Sequence, residues 1–74
     1  MKLTGKIYRD ALNTPVFVDT SEMKFSRVSG RAYHDRYVWM EISECWIKIG
    51  REYTTAFRSL KQVIPVYDAT IEVK

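Results

Sequence analysis

A chain of 74 residues has room for one hydrophobic core and buries only about 60% of the surface its unfolded state exposes, which excludes a second domain. Apolar residues at 46%, charged residues at 28%, and only three glycines and two prolines describe a folded globular chain rather than a disordered one. A single cysteine, Cys45, excludes an internal disulfide framework, while a net charge of +3 spread along the chain permits a polyanionic partner without demanding one.

Nothing in the sequence repeats, and no linker interrupts it, so residues 1–74 are expected to form a single domain. The first ten residues, MKLTGKIYRD, carry charges at positions 2, 6, 9 and 10, and no stretch is long and apolar enough to span a bilayer. The expectation is a cytoplasmic protein that does not engage membranes.

In chain order, residues 3–8, 16–18 and 25–28 read as short strands separated by turns at 13–15, 19–22 and 29–30. The next segment, YVWMEISECWIKIG at 37–50, supports two periodicities. Trp39, Ile42, Trp46, Ile49, Tyr53, Ala56, Leu60 and Val63 recur at three and four, as on an amphipathic helix. Against a long helix stand Gly50, the β-branched pair Thr54 and Thr55, and the off-seam apolar residues Val38, Met40, Ile47 and Ile64.

A strand accounts for them better. Val38, Met40 and Ile42 share one face at period two, and Cys45, Ile47 and Ile49 continue it on the opposite parity. The switch predicts a β-bulge at Ser43 and Glu44, with Gly50 and Arg51 as a hairpin turn leading into residues 52–57. A helical turn follows at 58–63 before Pro65, and residues 70–73 form a last strand. The fold class expected is mostly β, a small single-domain antiparallel sheet or SH3-like barrel with one helical turn near 58–63. The alternative is an α+β fold with a helix at about 51–63.

Catalytic chemistry has little to work with. A cysteine nucleophile needs a nearby base, and His34, the only histidine, would lie roughly 30 Å from Cys45 along an extended strand. His34 beside Asp35 and a lone Cys45 therefore read as structural residues. No CxxC, HxxxH, phosphate-binding glycine loop or nucleophile elbow occurs. No catalytic residue, metal ligand or cofactor is predicted, and the chain is expected not to be an enzyme.

Two surfaces remain as candidates. If the even-numbered apolar set of 38–42 and the odd set of 45–49 point inward, then Tyr37, Trp39, Glu41, Trp46 and Lys48 point outward, with Arg51 at the rim. Aromatics ringed by charges of both signs suit a protein partner or a second copy of the chain. This makes a non-catalytic binding or regulatory protein the first expectation. The alternative is nucleic-acid binding through RVSGRAYHDRY, in which Arg27, Arg31 and Arg36 would meet phosphates and Tyr33 and Tyr37 would stack on bases.

Overall fold

The structure, a computed structural model, describes all residues from Met1 to Lys74. Six strands, β1 (Lys2–Arg9), β2 (Pro15–Val18), β3 (Lys24–Phe25), β4 (Ala32–Met40), β5 (Cys45–Tyr53) and β6 (Tyr67–Glu72), form one antiparallel sheet. A helix, α1 (Thr54–Leu60), separates the last two. β1 lies between β2 and β6, and β4 pairs with β2 and β3 along one edge and with β5 along the other. β5 and β6 each pair on one side only. The mostly β class and the single antiparallel sheet are as the sequence predicts.

Both faces of β2 are covered, which is why three consecutive residues, Val16, Phe17 and Val18, are fully buried. On one face Val16 and Val18 pack with Tyr8 and with Phe57 from α1, and Leu60, Ile64 and Val66 close the edge. On the other, Phe17 packs with Tyr37 and Ile71, flanked by Leu3, Trp46, Ala69 and Val73. Close approach of β1 to the end of β2 depends on Gly5, since a Cβ there would stand 2.1 Å from the Val18 carbonyl oxygen.

Several local expectations are corrected. Ser43 and Glu44 are not a bulge. They belong to a four-residue loop, 41–44, that joins β4 to β5 with Met40 opposite Cys45. Glu44 takes a left-handed φ of 50° to close it, and its N–H donates to the Glu41 carbonyl. Gly50 is in turn not a hairpin corner. It sits inside the continuous strand β5 at φ 75°, where the register against β4 slips between Asp35 and Tyr37, so the bulge is there.

The helix begins at Thr54, later than 51 and earlier than 58, and turn hydrogen bonds carry the chain on to Ile64. Residues 27–28 leave the strand after Phe25 and form a turn closed by the Gly30 N–H donating to the Ser26 carbonyl.

The set expected inward on the hairpin is also corrected. Ile42 is in the loop and fully exposed, and Met40, Ile47 and Ile49 are 40%, 39% and 46% exposed. α1 is only seven residues long and covers the β1–β2 side of that face, leaving the hairpin uncovered.

Candidate cationic-aromatic surface

Side chains alternate across a strand, so Tyr33, Asp35, Tyr37 and Trp39 share one face of β4. Their partners on β5 are Tyr53, Arg51, Lys48 and Trp46. Residues 46 and 48 have even numbers while 51 and 53 are odd. The extra residue at Gly50 is what brings both pairs to the same face. β3 adds Lys24 opposite Tyr33.

At one end of this face the tyrosines and arginines interlock. The rings of Tyr33 and Tyr53 lie 5.9 Å apart at 57°. The Arg51 guanidinium stands 4.3 Å from the Tyr33 centroid, and that of Arg31 stands 4.5 Å from Tyr53. Such stacking holds each guanidinium flat while its N–H edge remains free to donate.

In the middle, the Asp35 carboxylate accepts a 2.7 Å hydrogen bond from Lys24 and lies 3.5 Å from the Lys48 ammonium. Burial pushes the Asp35 pKa up, but the hydrogen bond and charge of Lys24, aided by Lys48, outweigh it and hold the carboxyl below its usual range. The same bond raises the Lys24 pKa, with Glu22 adding a weaker pull. Lys24 and Lys48 thus share one nearly buried carboxylate, with Arg51 opposite it on β5.

At the far end the aromatics merge with the core. Trp39 and Trp46 face each other across the hairpin with centroids 5.4 Å apart, and Trp46 in turn lies 6.2 Å from Phe17. Both indoles are half-buried, whereas Tyr37 is only 6% exposed.

Of the residues expected at a protein-binding surface, the structure brings Trp39, Trp46, Lys48 and Arg51 to one face, places Tyr37 beneath it, and puts Glu41 in the exposed 41–44 loop. Of the nucleic-acid set, Arg31 and Tyr33 join this same face. Arg27 is exposed in the turn after β3, and Arg36 lies on the opposite face, close to Tyr8. Lys24 and Tyr53 escaped the sequence reading because they come from separate strands. Only the period-two spacing of Arg51 and Tyr53 hinted at the latter.

The residues considered for chemistry are apart. His34 is buried, its Nδ1 2.9 Å from the Glu22 carbonyl oxygen, and Cys45 stands opposite Met40. Six positions on β4 put the pair roughly 20 Å apart by the strand rise. No group of three or more His, Cys, Asp or Glu is placed to hold a metal ion. No helix is long and apolar enough to cross a membrane.

Comparison with protein-family models, with curated proteins and with solved structures finds no match for this chain.

Proposed function

We propose that the protein is a small non-catalytic binding domain whose cationic-aromatic face engages single-stranded nucleic acid. The observation that carries this reading is the stacking of Arg51 on Tyr33 and of Arg31 on Tyr53, with Lys24 and Lys48 on the Asp35 carboxylate of the same face. Cations that neutralise phosphates, set beside aromatic and guanidinium planes on which bases stack, are the two components such binding needs. Anisotropy of a labelled oligonucleotide tests it. Neutralising four phosphates gives a slope of log K against log salt of about −3. The double change Arg31→Gln and Arg51→Gln should weaken binding at least tenfold, and no binding at low salt refutes the proposal.

A reading as a protein-binding surface centred on Tyr37, Trp39 and Trp46 has less support, because Tyr37 is buried and Trp46 packs on Phe17. Self-association has a separate observation in its favour. Met40, Ile47 and Ile49 are exposed together on the opposite face, beside the unpaired edge of β5. Light scattering tests it: Ile47→Lys should convert an oligomer to monomer, and a monomeric parent protein refutes it.

A further inference from the structure

A separate concavity of about 260 Å³ lies on the face opposite the cationic-aromatic surface, where α1 crosses the sheet. Its walls are Lys6, Thr20 and His34 from the sheet side and Thr54, Arg58 and Lys61 from the helix, with Phe57 beneath. No carboxylate lines it. Lys6 is shared with Asp68, an exposed residue of β6, but Arg58 and Lys61 have no acidic partner. The Lys61 ammonium stands 5.2 Å from the Phe57 ring. His34 uses Nδ1 on the Glu22 carbonyl, which leaves Nε2 as its remaining polar atom.

Thr54 also lines the hollow, while its Oγ1 is itself buried. Arg58 and Lys61 without an acidic partner, beside Lys6 and Thr20, call for a compact anion rich in acceptor oxygens. At about 30 Å³ per water, the space accommodates a tetrahedral oxyanion with part of its hydration shell.

We propose that this pocket binds a phosphate dianion, held by Arg58 and Lys61 with Lys6 at its edge and Thr20 beside it. The site is separate from the nucleic-acid face and does not depend on it.

Titration of ¹⁵N-labelled protein with inorganic phosphate at constant ionic strength is the test. Shifts should concentrate at Thr20, His34, Thr54, Arg58 and Lys61, and the double change Arg58→Gln and Lys61→Gln should raise Kd at least tenfold. Lys48→Gln, on the other face, should leave phosphate binding unchanged. A parallel titration with a nucleoside 5′-monophosphate separates the sources: tighter binding than phosphate assigns a monoester, equal binding the free anion. Shifts scattered over all surface lysines, no shift at tens of millimolar phosphate, or an equal effect of Lys48→Gln would overturn the proposal.

Discussion

The Tyr8 phenol on β1 donates a 2.6 Å hydrogen bond to the Glu52 carboxylate on β5, tying together strands that do not pair with each other. Burial first, and the Glu52 bond and charge second, push the Tyr8 pKa up to about 12. An unfolded tyrosine ionises near 10, so between the two values the folded state holds a proton that the unfolded state has released. The stabilisation is complete below pH about 10 and is lost as pH rises towards 12. Denaturant unfolding between pH 9 and 11.5 should show this loss. Tyr8→Phe should flatten it, at a cost near neutrality of about 1 kcal/mol for the lost bond.

Asp35 works in the opposite direction. Its pKa is lowered despite burial, so the contribution is present above the unfolded value near 4 and disappears as pH falls through the folded one. Acid unfolding followed by circular dichroism should show the loss, and Asp35→Asn should remove that part of it. The same change releases Lys24 and Lys48 from their shared carboxylate. Oligonucleotide affinity should therefore rise several-fold at low salt in Asp35→Asn, and an unchanged or lower affinity would count against the proposed binding face.

The two tryptophans differ in what lies behind them. Trp46 rests on Phe17, which is fully buried, while Trp39 contacts Trp46 from the end of the hairpin. Trp46→Ala should cost about 3 kcal/mol and Trp39→Ala about 1 kcal/mol, the difference reflecting core contact against a mainly pairwise one. Equal losses on chemical denaturation would mean that the indoles act as a single unit.

Much of this sheet could be read from residues alone, and the errors have definite causes. The parity switch after Ile42 was a true signal. A four-residue loop and a bulge produce the same switch, and the loop requires a left-handed Glu44 that its residue type does not advertise. Gly50 announced a positive φ, but glycine serves a turn and a bulge equally well. Once these two features exchanged places, Arg51 and Tyr53 moved beside Lys48 and Tyr33, and the two separately predicted surfaces became parts of one. Which face is covered was not readable either, because it depends on where a seven-residue helix lands rather than on the strand's own pattern.

Gly5 provides a test of the packing between β1 and β2. A methyl group there would collide with the backbone carbonyl of Val18, which cannot move aside as a flexible side chain can, and would also press on Phe17 and the Thr20 N–H. Gly5→Ala should cost roughly 3 kcal/mol, near the upper range for overpacking. Ala69, the partner of Gly5 on β6, already carries the methyl that this pair accommodates, so Ala69→Gly should cost less, about 1 kcal/mol. Unfolding midpoints of the two variants compare the sites directly.

Gly50 is where the fold and the proposed function meet. Gly50→Ala keeps the extra residue and places its Cβ in ordinary contact, 3.5 Å from the Arg36 guanidinium, so the strain of φ 75° is its main cost, about 1 to 2 kcal/mol. The bulge survives, and oligonucleotide binding should survive with it. Deleting Gly50 instead removes the inserted residue and leaves a simple alternation, with Lys48, Ile49 and Arg51 opposite Tyr37, Arg36 and Asp35, so Arg51 and Tyr53 stay on the face of Lys48 and Glu52 stays on the face of Tyr8. A protein lacking Gly50 that remains folded by circular dichroism should therefore keep oligonucleotide binding, together with the alkaline stability loss due to Tyr8. Loss of affinity in that folded variant would show that the local twist of the bulge, and not the pairing register alone, organises the binding face.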